Sequence, residues 1–263
     1  MIISHKHKFL FIGLPFSASS AITKELHSKY AGRPLLRKHS LYHGFWKIAS
    51  KEEKKYFTFA VLRNPMDIVV TIYEKMKSDA KKNFNNPELL KQNGGHISIK
   101  QQEAYRFIQN NNASFQEFFL KFFILPYDNY ASITMNKCDF VIRYENIESD
   151  YLQALEKCGI NDPKPLPVAN KTIGKNKNMN DYYTKDIQQR ASFIFGPFLK
   201  KHGYNIPSHW PTNNFSKSSS FLFNCLGFIR NIKWHYEKIS KRKSIQGSIY
   251  GDIQRQEEEE NNN

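Results

Sequence analysis

Two short stretches carry residues whose types and order suit the binding and transfer of a charged group. In GLPFSASSAITKEL, Gly13 to Leu26, small and hydroxylated residues precede a segment that reads as a helix. Such a turn exposes backbone N–H groups, and the helix behind it adds partial positive charge, so an anion can be held without a charged side chain. Pro15, Phe16, Ser17, Ala18, Ser19 and Ser20 form that cradle, with the serine hydroxyls as further donors. In RNPMDIVVT, Arg63 leaves an apolar strand and Thr71 follows eight positions later, about two helical turns on. That spacing sets a guanidinium and a hydroxyl on one side of a strand-helix junction, where they can clasp a phosphate. Each stretch also has a plainer reading. The serines can simply cap a helix, Arg63 can pair with a local carboxylate, and Thr71 can pack within its helix. Neither GxxxxGK[ST] nor GxGxxG is present.

The elements that must position these residues alternate. Lys8 to Gly13 is a continuous apolar run, the mark of a strand covered on both faces. Ser19 or Ser20 is expected to cap a helix reaching about Tyr30. Leu35 to His39 reads as a second strand and His43 to Ala49 as a short helix. Tyr56 to Leu62, rich in β-branched and aromatic residues, is the strongest strand, and Pro65 opens a helix through about Ser78. Ala80 to Gly95 reads as a mobile loop. Helices are expected at Ser98 to Gln109, Ser114 to Phe122 and Glu148 to Cys158, with a strand at Asp139 to Arg143. Lys164 to Asn180 reads as loop, and Tyr182 to His202 as a long helix kinked or broken at Pro197. Alternation of this kind predicts an α/β domain over residues 1–209 with a mainly parallel central sheet flanked by helices and ligands at the carboxyl ends of its strands. Residues 210–263 read as a basic C-terminal extension. In it Ser216 to Ser220 is a linker, Phe221 to Tyr236 mixes aromatic with basic residues, and EEEENNN is a disordered tail. Residues 221–236 are a candidate for peripheral contact with an anionic membrane, set against simple packing on their own domain.

Composition bounds the function. Thirty-nine Lys and Arg against 24 Asp and Glu give a formal charge of +15, which favours an anionic partner or serves only general solubility. Cys138, Cys158 and Cys225 are odd in number and widely spaced, which suggests neither a disulfide framework nor a structural zinc and fits a reducing compartment. N-x-S/T matches begin at Asn112, Asn170 and Asn214, a pattern that matters only for an exported chain. The opening imitates a secretion signal, with basic His5 to Lys8, apolar Phe9 to Leu14 and small Ser17 to Ala21, but the apolar run is short and ends in Pro15. A cytoplasmic chain is the expectation. No stretch approaches the length of about 20 apolar residues needed to span a bilayer.

Four stretches, in order, resemble the PAPS-dependent sulfotransferases, in particular the group that includes carbohydrate sulfotransferases and their bacterial relatives. GLPFSASSAITKEL resembles the family's 5′-phosphosulfate loop, and VLRNPMDIVVTIY its 3′-phosphate motif. FVIRYENIESDYLQAL resembles its later strand and Arg-Tyr-Glu-Asn turn, and NKT, YYTKDI and HGY its C-terminal segment. The resemblance covers roughly Lys8 to Tyr204. It implies a P-loop-like three-layer sandwich and transfer of a sulfuryl group from 3′-phosphoadenosine 5′-phosphosulfate (PAPS) to a hydroxyl of a glycan or small metabolite. No metal and no nucleic-acid partner are implied. By the same resemblance the 15–20 loop holds the phosphosulfate, Arg63 and Thr71 hold the 3′-phosphate, and Asn170 and Lys171 lie near the nucleotide. A base must take the acceptor proton: His39 is the first candidate, His43 its rival and Glu74 a third. Phe16 departs from the family's lysine, and Ala18 from its glycine. Lys24, Arg37 and Lys38 are the cations that could stand in, and a catalytically silent nucleotide- or polyanion-binding protein on the same fold is the alternative.

Overall fold

A computed structural model describes residues 1–79, 82–93, 95–128, 130–167, 178–210, 216–236, 251 and 253. The expected roles of Asn170 and Lys171, two of the three N-x-S/T sites and the acidic tail lie outside the described residues. In chain order the elements are β1 (Ile2–Ser4), β2 (Phe9–Ile12), α1 (Ser19–Lys29), β3 (Arg33–Pro34), α2 (Tyr42–Ile48), β4 (Phe57–Leu62), α3 (Pro65–Ser78), α4 (Ile99–Asn111), α5 (Phe115–Phe122), α6 (Ala131–Thr134), β5 (Phe140–Arg143), α7 (Ile147–Lys157), α8 (Met179–Tyr182), α9 (Lys185–Lys201) and α10 (Lys217–Tyr236). They divide between two compact units, Met1–Arg63 with Asn129–Asn170 and Phe228–Asn263, and Asn64–Asp128 with Lys171–Gly227.

The first unit is an open α/β sheet of order β3-β1-β2-β4-β5. β2, β4 and β5 pair in parallel, while β1 pairs antiparallel with both β2 and β3. The sheet is therefore mixed rather than mainly parallel in its pairings. The antiparallel share comes from Ile2–Ser4, a strand too short to read locally. It folds back on β2 through the turn at His5–Lys8, where Lys8 has a φ of 51°. The leader-like apolar run is β2 itself, and Phe9, Leu10, Phe11 and Ile12 are fully buried. Alternation puts Phe9, Phe11, Phe59, Val61 and Ile142 against Ile22 and Leu26 of α1 and Tyr151, Ala154 and Leu155 of α7. Each such large side chain contributes about 1.5–3 kcal/mol on burial. The expected strand at 35–39 is displaced. Only Arg33–Pro34 pairs, and Leu36, at φ 59°, turns the chain before Lys38.

The second unit is helical, with a core rich in aromatic rings. Asn64 caps α3 by accepting from Met66 N at 2.9 Å, and Pro65 needs no donor at that position. Met66, Val69, Val70, Tyr73 and Met76 then recur at helical spacing and pack with Phe115, Phe119, Tyr183, Ile187 and Phe195. Ser98 with Gln101 and Ser114 with Glu117 form capping boxes that start α4 and α5. α9 runs through Pro197 without ending. Proline leaves the carbonyl four residues back without its helical donor, here that of Phe193, and Ser219 Oγ donates to it instead. Ser219 is accordingly fully buried, and the stretch expected to be a linker is the first turn of α10. Another stretch read as loop ends in the short helix α8, opened by an Asn178–Asp181 capping box.

Candidate active site

Parallel register gathers the functional residues of the first unit. Ile12 lies beside Ala60 and Leu62 beside Arg143, so the chain leaves β2, β4 and β5 at one end of the sheet with Gly13, Arg63 and Tyr144. Beyond Gly13 the loop is held in an unusual shape. Phe16 (φ 61°) and Ala18 (φ 54°) both lie in the left-handed region, with Ser17 between them outside it. Left-handed residues of this kind are the ones from which anion-binding nests of N–H groups are built. Each left-handed residue with a side chain costs about 1–2 kcal/mol. Side chains offset this: Ser17 Oγ donates to Leu14 O at 2.7 Å, and Arg63 Nη1 donates to Phe16 O at 2.8 Å.

The serines divide their work differently from expectation. Ala18, not Ser19 or Ser20, is the N-cap of α1, and no side chain caps it among the described residues. The helix thus presents its first N–H groups at the loop. Ser17 is 1% exposed and gives its proton to the backbone, which makes it a brace of the turn rather than an outward donor. Ser19 is buried in the first turn of α1, and Pro15, Phe16 and Ser20 are half-buried. Ser20 Oγ accepts from Lys38 Nζ at 2.6 Å. Of the three cations that could replace the missing loop lysine, Lys38 is the one bonded to the loop, while Lys24 and Arg37 are exposed. The turn carrying Lys38 is closed by Arg37 and Ser40: Arg37 N donates to Ser40 Oγ and Ser40 N donates to Arg37 O, each at 3.0 Å.

Arg63 is 6% exposed, and its guanidinium lies 4.1 Å from the centre of the Tyr144 ring. Both contacts fix the guanidinium beside the loop. Tyr144 lies in the Arg-Tyr-Glu-Asn turn that carries part of the resemblance, but the sequence gives it no role. It and Arg63 each sit at the exit of the two neighbouring parallel strands. Thr71, 2% exposed, belongs to α3 in the second unit, so its partnership with Arg63 rests on chain spacing alone.

The histidines separate. His39 Nδ1 donates to Gly13 O at 2.7 Å, which places the neutral ring's lone pair on Nε2, the tautomer that can accept a proton beside the loop. His43 Nε2 donates to His235 O at 3.0 Å, joined there by Lys47 Nζ at 2.9 Å. It thus helps to close the last turn of α10, where helical carbonyls lack partners. Burial lowers its pKa, opposed by the bond to His235. Glu74 is buried in the second unit, accepting from Tyr182 Oη at 2.9 Å. The three cysteines are free, and desolvation pushes Cys138 and Cys158 up to about 12, keeping them thiols. Among the described residues no group of three or more His, Cys, Asp or Glu is placed to hold a metal ion.

The arrangement offers a loop with left-handed Phe16 and Ala18, a helix end with no side-chain cap among the described residues, Lys38 and Arg63, with His39 anchored to the same loop. Those are the parts for binding a multiply charged anion and removing a proton next to it. Comparison with family models, curated proteins and solved structures yields no match.

Proposed function

We propose that the chain is a sulfotransferase that uses PAPS as donor and a hydroxyl of a glycan or other small acceptor as recipient. The observation that carries this reading is the 2.8 Å bond from Arg63 Nη1 to Phe16 O, which joins the two sequence stretches that resemble the family's phosphate-binding motifs. In this reading the donor nucleotide's phosphosulfate lies against the 16–20 loop and its 3′-phosphate near Arg63. The acceptor oxygen attacks sulfur in line with the bridging oxygen. The bond from sulfur to that oxygen breaks, and the departing phosphate keeps the electron pair. His39 Nε2 takes the acceptor proton. Charge grows on the leaving phosphate, so preorganised donors there lower the barrier most, and Lys38 stands where it can replace the family's lysine.

The test pairs binding with turnover. Calorimetry with adenosine 3′,5′-bisphosphate is expected to show binding that Arg63→Ala weakens by on the order of 1.5–3 kcal/mol, the worth of a charge-assisted bond. Labelled sulfate should pass from PAPS to at least one member of a hydroxylated acceptor panel. Unchanged affinity in the variant removes Arg63 from the site. Tight nucleotide binding with no transfer to any acceptor favours the silent binder on the same fold, for which the phenylalanine at position 16 is the supporting observation.

A further inference from the structure

α10 carries its apolar stripe on the outside. Phe221, Phe228, Ile229, Ile232 and Tyr236 are 72%, 67%, 62%, 43% and 78% exposed, whereas Ser219 and Phe223 are buried. With about 100° of rotation per residue, the five exposed side chains fall in a sector roughly 100° wide, and the buried pair lies on the far side of the helix. That far side is fastened at both ends. In the second unit Ser219 Oγ bonds Phe193 O and Lys201 Nζ lies 5.6 Å from the Phe223 ring. In the first, Trp234 meets Tyr130 edge-on at 5.0 Å, and His43 and Lys47 hold the His235 carbonyl. The stripe therefore faces water in a helix whose other side is already anchored, the reverse of the usual inward placement.

Charge selects what covers it. From Lys217 to Lys243 the sequence holds seven Lys or Arg and a single acidic residue, Glu237. A second copy of the chain would cover the apolar stripe, but a two-fold pair would set these like charges against each other. Acidic lipid answers both features, since apolar side chains enter the acyl boundary while lysine and arginine meet headgroup phosphates. No described helix is long and apolar enough to cross a membrane. We infer that α10 docks the protein on the surface of an anionic membrane, lying along it through Phe221, Phe228, Ile229, Ile232 and Tyr236. This contact is independent of the sulfuryl chemistry.

The full chain, mixed with vesicles of phosphatidylcholine alone or with phosphatidylserine added, tests this by sedimentation, with light scattering on the lipid-free protein in parallel. Binding is expected only where phosphatidylserine is present and should weaken as salt rises. Phe228→Ser combined with Ile232→Ser should lower partitioning at least about tenfold. Lys233→Ser and Lys241→Ser should each lower it about fivefold. All four positions lie at the surface or in the sequence that follows the helix, and an unchanged melting curve checks that the variants fold. Failure to bind acidic vesicles overturns the inference, as does equal binding to neutral ones. A lipid-free dimer that Phe228→Ser with Ile232→Ser converts to monomer, without vesicle binding, assigns the stripe to self-association instead.

Discussion

At the carboxyl ends of β2, β4 and β5 stand Lys38, His39 and Arg63. At the opposite ends Lys6, Lys8, Lys55 and Lys157 surround an open depression of about 460 Å³. Both ends are basic, yet they are built differently. Lys55 is exposed and pairs with Glu52 at 3.0 Å, and Lys157 Nζ rests 5.7 Å from the Phe140 ring. Surface pairs of this kind are worth about 0–1 kcal/mol, and salt screens them. At the carboxyl end the cations meet the loop itself, Arg63 through the Phe16 carbonyl and Lys38 through the Ser20 hydroxyl, while His39 grips Gly13. Charge alone marks neither end. What distinguishes a candidate active site is that backbone groups in a strained loop fix where the charge sits.

The largest blow to that contrast should come from His39→Ala, which removes the proposed proton acceptor. Sulfate transfer is expected to fall by about 10²–10⁴-fold in kcat, with affinity for adenosine 3′,5′-bisphosphate nearly unchanged. A loss confined to affinity would return the role to another group. Next comes Lys38→Ala, expected to cost ten- to about a hundredfold in turnover if its ammonium serves the leaving phosphate. Phe16→Lys should restore most of that loss while adding little to the otherwise native chain, because the cation would be redundant there. Full activity in Lys38→Ala would show that Lys38 only holds Ser20. The smallest effect belongs to the other end of the sheet, where replacing Lys6, Lys8 and Lys157 together by serine should leave nucleotide affinity within about twofold. A larger drop, read by the same calorimetry, would move the anion site to the amino ends.

Much of the architecture was legible because it is written locally. Asn64 and Pro65 start α3, and Ser98 and Ser114 start α4 and α5, through contacts within three residues, so the expected boundaries fall within a residue or two at those starts. Misreadings arose where distant partners intervened. Of the kink or break expected at Pro197, the break does not occur: α9 runs through it, with a bond from Ser219, 26 positions from Phe193. Ser19 and Ser20 looked like caps, but the helix begins one residue earlier at a left-handed Ala18. The strand at Ile2–Ser4 has too few residues to signal itself and exists through pairing with β2 and β3.

The order of chemical groups along the chain was settled by the sequence alone: a serine-rich bend after an apolar strand, an arginine after the next strong one, and the two candidate bases His39 and His43 between them. Side-chain size, β-branching and capping chemistry act over a few residues, and a linear string displays them in full. Which groups meet was decided by the tertiary structure. Register between β4 and β5 sets Tyr144 beneath Arg63, and the turn closed by Ser40 carries Lys38 to Ser20 and His39 to Gly13. The same folding takes His43 to the end of α10. Two histidines four positions apart thus have different neighbours, because nonlocal packing, not local propensity, decides where each ring can bond.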